Sequence, residues 1–295
     1  MADAAKRLST NIDGNFFVDA TCINCDTCRQ LAPKSFVENG EYSSVYRQPE
    51  TESERYQAYQ ALLACPVGSI GALVPDKTVM RAATESFPLK LDGEVFYNGF
   101  NSEKSFGANS YFIRHPDGNW LVDAPRYMKK LVDAFERMGG ITYIFLTHED
   151  DIGDASRYAK HFGAKRIIHR ADADVQPDAE WIIDGLDTVE ASPDFRIIPV
   201  PGHTDGSMAL LCRNRYLFTG DHMAWDREIK GLRLATVYVW KESALRRSAE
   251  KLLEYPFEWI LPGHGDRMHL PAARMREELR HLLARRAARA SLSAP

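Results

Sequence analysis

The stretch Pro199 to Ser207, PVPGHTDGS, sets a histidine beside glycine directly after an apolar run. The preceding FRIIPV reads as a strand, and glycine lets the backbone turn sharply at its end and carry the next side chain to a loop. Related pieces recur at FLTHEDD (145–151), LFTGDHMAW (217–225) and ILPGHGD (260–266), each a strand end followed by a ligand-type residue. A lone histidine is usually structural, but His203, Asp221 and His264 all occupy such turns. Two imidazoles with a carboxylate suit zinc, iron or manganese.

Working outward, SYFIR and WLVDA flank the turn HPDGN and read as a hairpin. Tyr127 to Met138 has helical spacing and stops at Gly139-Gly140; ITYIFLT reads as a buried strand. Ile152 to Phe162 reads as a helix ended by Gly163, and AKRIIHR as a strand. YLFTG continues the strands, Ser243 to Tyr255 is a helix, EWILPG a last strand, and Pro271 to Ala290 a closing helix. Hairpins first, then strands alternating with helices, predict helices packed outside a sheet core.

All nine histidines lie in this longer segment, whereas four of the five cysteines lie before residue 66. Cys22, Cys25 and Cys28 are spaced by two residues each, and Cys65 is followed by Pro66. Three close thiolates with a distant fourth suit an iron–sulfur cubane, whose corners need ligands from converging directions. A closed zinc site is the alternative, but zinc ribbons usually pair two Cys-x-x-Cys runs. Cys212, in LLCRNRYLF, reads as a small buried hydrophobe. The stretch VPDKTVMRAATESFPLKL (74–91) between the segments reads as a linker or crossing strand, which places domains at 1–80 and 81–295, the second ending in the C-terminal helix.

At 295 residues, 44% hydrophobic and 26% charged, the chain has the make-up of a globular protein. A net charge of −4 with mixed signs argues against nucleic acid or a membrane surface as partner. No apolar run reaches the length of a membrane span, and the N-terminus lacks a secretory h-region, so the expected location is the cytoplasm.

The first segment, from about Asn15 to Leu73, resembles a single-cluster bacterial-type ferredoxin through its three-thiol loop, Pro33, Phe36 and the ACPVGSI tail. That resemblance implies one [4Fe–4S] cluster on Cys22, Cys25, Cys28 and Cys65, convertible to a [3Fe–4S] form by oxidative loss of iron. Such a domain passes electrons to a redox partner protein; the blander role is a cluster that staples a small domain. The second segment, from about Phe96 to Asp266, resembles the metallo-β-lactamase fold superfamily in its glyoxalase II-like branch. NSYFI, WLVDAP, PGHTDGS, FTGD and LPGHG stand in that family's order. The implied fold is α+β, a ferredoxin-like domain followed by an αββα sandwich. By resemblance His203 is a ligand of the first metal, Asp221 bridges two metals, His264 binds the second, and Asp123 supports the site without binding.

The departure lies at Thr147-His148-Glu149-Asp150-Asp151-Ile152-Gly153, where the family has Thr-His-x-His-x-Asp-His. His148 matches the first histidine. Without a gap Asp150 stands at the second histidine; with two residues deleted, the reading preferred here, Asp150 matches the aspartate and Asp151 replaces the last histidine. Either way imidazoles give way to carboxylate, which shifts preference toward iron or manganese over zinc. The rival reading is an empty site whose acids cap the next helix. The expected activity is metal-dependent hydrolysis of a small ester, thioester or similar substrate, with Asp150 positioning or deprotonating the attacking water. One or two ions (Fe, Mn or Zn) would be held by His148, Asp150, Asp151, His203, Asp221 and His264. The alternatives are a cluster-coupled redox enzyme with an iron site, and a metal-free electron-transfer or docking protein.

Overall fold

The computed structural model describes residues 2–292, with side chains through Arg285. The chain divides into two compact units. One holds the chain to Ile144 together with Ile152–Ala164; the other holds Phe145–Asp151 and the chain from Lys165 onward. The border expected at 80/81 runs through the first unit. Both units mix helix and sheet, and no helix among the described residues is long and apolar enough to cross a membrane.

In the first unit, strands Phe16–Val18 and Ile70–Ala72 pair antiparallel, and Phe36–Asn39 pairs with Tyr42–Val45. The helix Glu52–Ala64 starts at a capping box: the Thr51 hydroxyl accepts from the Glu54 N–H and the Glu54 carboxylate accepts from the Thr51 N–H. Phe16, Val18, Phe36, Val45, Tyr59 and Ile70 form the core under the cysteine loop. The stretch expected to be a linker contains a helix, Lys77–Glu85. The Asp76 carboxylate caps it at the Thr78 and Val79 amides, and Val79, Met80 and Ala83 pack at helical spacing on the same core.

Strands Leu89–Asp92, Val95–Tyr97, Tyr111–Ile113 and Trp120–Val122 follow as an antiparallel run, with the predicted hairpin as its last pair. The loop from Phe100 to Asn109 folds back onto the cysteine segment. The Asn101 N–H donates to the carbonyl of Ala64 and an Arg126 guanidinium N–H to that of Leu63, taking up two of the carbonyls a helix end leaves open. The Asn101 amide also donates to Thr27 Oγ1 (3.0 Å) and to the Gly107 carbonyl (2.7 Å). The helix expected from Ile152 begins at Ala155: Gly153, at φ 47°, is outside helical geometry, and the Asp154 carboxylate at the N-cap bonds to Lys104 Nζ and the Tyr127 amide instead of capping.

The second unit contains a six-stranded sheet in the order Val189–Ser192, Phe195–Pro199, Met208–Cys212, Tyr216–Gly220, Trp259–Pro262, Met268–His269. The last of these has no counterpart in the sequence pattern: it returns antiparallel to Trp259–Pro262. Alternate residues on one face (Ile198, Ala209, Leu211, Leu217, Ile260) share a core with Leu245, Ala249 and Leu252 of the helix Glu242–Leu252, and with Met275 and Leu279 of the helix Ala272–Leu292. Gly202 is required where that first helix comes close: a Cβ there would lie 2.3 Å from Leu245 Cα. Cys212 is fully buried in the sheet, as expected.

Tyr216–Gly220 and Trp259–Pro262 run parallel, so the residues after them, Asp221 and His264, emerge at the same end of the sheet. The neighbouring hairpin between Phe195–Pro199 and Met208–Cys212 turns at that end too and carries His203. The Met208 N–H donates to the Thr147 carbonyl at 2.8 Å, which fixes the segment of His148 beside them.

Candidate functional site

The four clustered cysteines line one pocket of about 290 Å³, walled otherwise by Val18, Ile23, Val67 and Ile70. None is in a disulfide. Backbone amides point at the sulfurs: Asn24 and Ser43 N–H donate to Cys22 Sγ (3.4 and 3.5 Å), and Ser69 N–H to Cys65 Sγ (3.3 Å). Burial pushes the Cys25 thiol up to about 11, against partial relief from Thr27, and raises Cys28 as well. Four thiolates this close are disfavoured alone and become favourable around a cationic iron–sulfur core, whose potential such N–H···S bonds tune. The donor set fits a cluster. Gly107 packs against the outer side of Cys25: a Cβ there would stand 2.7 Å from Cys25 Cβ and 2.9 Å from Pro66.

At the sheet end of the second unit, His203 Nε2 lies 3.8 Å from Asp221 Oδ2 and 3.6 Å from Asp150 Oδ2. His148 Nε2 lies 4.0 and 3.8 Å from the same two oxygens, and His264 Nε2 lies 3.9 Å from Asp221 Oδ2. Ligands at about 2.0–2.1 Å from one ion stand about 3.3–3.5 Å apart in a tetrahedron, so these atoms need only small shifts to share one. His148, His203 and Asp221 offer one ligand group; Asp151, Asp221 and His264 offer a second, with Asp221 common to both. The two consecutive acids are thus split, Asp150 facing the imidazoles of His148 and His203, Asp151 facing His264. They lie in the short turn Glu149–Asp151, and the N-cap of the helix Ala155–Phe162 is Asp154.

The atoms left over fit a cation. His148 Nε2 and Asp221 Oδ1 are buried without a hydrogen-bond partner. His148 Nδ1 shares a 2.9 Å hydrogen bond with Thr147 Oγ1, which turns Nε2 toward the acids. Burial holds the His148 imidazole below its usual pKa, so it is neutral and ready to ligate. Burial opposes ionisation of Asp221, but His264, His148 and His203 around it outweigh that and keep it below the usual carboxylate range. Gly263 leaves room for both carboxylates: a Cβ there would fall 2.6 Å from Asp151 Oδ2 and from Asp221 Oδ1. Beside the acids lies a pocket of about 400 Å³ walled by Met223, Ala224, Arg233, Leu234, Thr236 and Val237.

Other candidates fall elsewhere. His169 is structural, its Nδ1 accepting from the Ala171 N–H and its Nε2 donating to the Gly185 carbonyl. His115 is buried in its turn, where Nδ1 accepts from the Asp117 N–H. Trp225 packs on the core, and Trp240 is half exposed. Asp123 is buried in the first unit at φ 52°. His222 is fully buried with both ring nitrogens unpartnered. Asp172 carried no sequence signal; it lies in the turn Arg170–Val175, and its carboxylate bonds to both the His148 and the His203 loops.

Comparison with known proteins agrees with both halves. The profile described as "4Fe-4S single cluster domain of Ferredoxin I" matches residues 18–72, and that of the metallo-beta-lactamase superfamily matches residues 92–245. The uncharacterized protein YobT of Bacillus subtilis (strain 168) is 26% identical over 212 residues, 59% of this chain and 90% of YobT. Among solved structures, TMB-1 superposes with a TM-score of 0.53 at 18% identity, covering 68% of this chain and 96% of its own. The DIM-1 metallo-β-lactamase exposed to ceftazidime gives 0.51 at 17% identity, covering 66% and 94%. At that identity the likeness is one of fold. With a profile matched over more than half its length, and a cluster-type ferredoxin region ahead of it, the chain belongs to the metallo-beta-lactamase superfamily.

Proposed function

We propose that the chain is a metal-dependent hydrolase of a small carbonyl substrate, an ester or thioester, with residues 1–80 as its cluster-binding segment and 81–295 as its metal-binding segment. The observation that carries this reading is the convergence of His148, His203 and His264, each with Nε2 within 4.0 Å of Asp221 Oδ2, at one sheet end. His148, His203 and Asp221 would hold one ion with Asp150 alongside; Asp151, Asp221 and His264 would hold a second. A bound ion supplies Lewis acidity toward a carbonyl oxygen and acidifies water.

The side chains divide the remaining work. Asp150 is the ligand-side acid most open to solvent, its side chain 48% exposed, and its Oδ2 stands beside both imidazoles of the first group. That position suits it to orient a water and accept its proton as general base. Met223, Leu234 and Val237 form an apolar wall for the substrate's hydrocarbon part, and Thr236 and Arg233 a polar edge. Asp221→Ala is the test: metal beyond the cluster should be lost, together with turnover of an ester and thioester panel. Turnover that survives the change sinks the reading.

Three of the six proposed ligands are carboxylates, which favours iron or manganese and supports a second reading. In it the cluster passes electrons to an iron site. Reduction of the cluster should then alter the spectroscopic signal of the second centre, and zinc alone at that centre excludes it.

A further inference from the structure

We infer that Asp172 is the positioning residue of the metal centre, a buried carboxylate that clamps the His148 and His203 loops into one ligand set. This rests on the metal-dependent reading above. Asp172 is 2% exposed and faces backbone amides and a hydroxyl. Its Oδ2 accepts from the Glu149 N–H at 3.1 Å and from the Thr204 hydroxyl at 2.6 Å; its Oδ1 accepts from the Gly206 N–H at 3.0 Å. Glu149 lies between His148 and Asp150, and Thr204 follows His203. One carboxylate therefore fixes, within a residue of each, three of the proposed ligands.

The arrangement admits little substitution. The Thr204 proton is committed to Asp172, so its oxygen accepts from Ser207 Oγ at 2.8 Å, and the Thr204 N–H donates to that same Oγ at 2.9 Å. The chain of donors fixes the direction of each bond and leaves the Asp172 end as pure acceptor, a role only an ionised carboxylate fills. Gly206 is packed so closely that a Cβ would stand 2.5 Å from Asp172 Cγ. Asp172 is itself anchored, since His169 Nδ1 caps the turn at the Ala171 N–H and Nε2 bonds across to Gly185. Its negative charge would also attract a cation held between the loops. Outer partners of metal ligands typically change affinity by about 10–100-fold.

The test uses the full chain with its cluster assembled and cobalt(II) as probe, read by the visible d–d bands and by competition with a chromophoric chelator. Asp172→Asn keeps the shape but turns an N–H₂ toward at least one of the three donors. We expect cobalt affinity to fall by about tenfold or more, with altered bands and unchanged cluster absorbance. Thr204→Val should weaken cobalt in the same direction, whereas Thr204→Ser, which keeps the hydroxyl, should bind as wild type. This pair decides the matter if Asp172→Asn does not fold. A general loss of stability would not be rescued by serine alone. Wild-type affinity and bands in both Asp172→Asn and Thr204→Val overturn the inference. A wild-type chain that takes up no cobalt instead defeats the metal-dependent reading, and this inference with it.

Discussion

The rings of His148 and His203 meet edge to face, their centroids 4.8 Å apart and their planes at 83°. Two imidazoles in that pose present nitrogens to one point without stacking, with Asp221 closing the third direction.

Removal of that third direction should be decisive. Asp221→Ala should lower the second-domain metal count to near zero by elemental analysis, because Asp221 is common to both ligand groups. Any hydrolytic turnover should drop by about 100-fold or more, the scale of losing a metal-supported step. The iron and sulfide of the cluster should be unaffected.

Gly263→Ala should loosen the centre without replacing a ligand. The added methyl would meet Asp151 Oδ2 and Asp221 Oδ1 at 2.6 Å and force the carboxylates apart. Cobalt affinity should fall, by about tenfold on the scale of ligand misplacement, while the circular dichroism spectrum stays that of the parent. Unchanged affinity would show that the carboxylates can shift freely.

Gly107→Ala should act on the cluster instead. Its Cβ would press on Cys25 Cβ and Sγ, and φ at this residue is +85°. Purified protein should carry less iron and sulfide and a weaker cluster absorbance in the visible, with cobalt uptake at the second centre retained.

Metal-free protein should lose stability toward acid through His222. Burial, and then the nearby His203, push its imidazole down to about 3, whereas an unfolded histidine titrates near 6.5. Between those values the unfolded chain binds the extra proton, so stability rises with pH across the window and is lost as pH falls through it. The effect is on the order of a few kcal/mol at most. In His222→Met, urea midpoints measured at about pH 4 to 6, within that window, should vary less with pH than in the parent.

What the sequence disclosed followed from chemistry that demands fixed spacing. Cys22, Cys25 and Cys28 cannot surround a cluster unless the loop is short, and His203, Asp221 and His264 sit beside glycines because their strands end at the site. The strands behind them were legible as short apolar runs. Less was legible where long-range packing decides. Asp172 lies in RADADV, where nothing marks one aspartate from its neighbours; only the fold brings the Glu149, Thr204 and Gly206 donors to it. That Asp150 faces His148 and His203 while Asp151 joins Asp221 and His264 depends on a single short turn, which alignment to a motif with different spacing does not specify. The helix Lys77–Glu85 was hidden by its flanking prolines, although Asp76 and the Val79–Met80–Ala83 spacing carried its signature.

The loop that closes over the cysteines bears on how such a protein could be taken apart. Asn101, Gly107 and Arg126 come from beyond residue 80, yet they occupy the open carbonyls of Leu63 and Ala64, hold Thr27 and cover Cys25. A fragment ending at residue 80 would expose that face to water and oxygen. The cluster-bearing segment is therefore not a detachable cartridge: its durability in air depends on sequence that lies outside it.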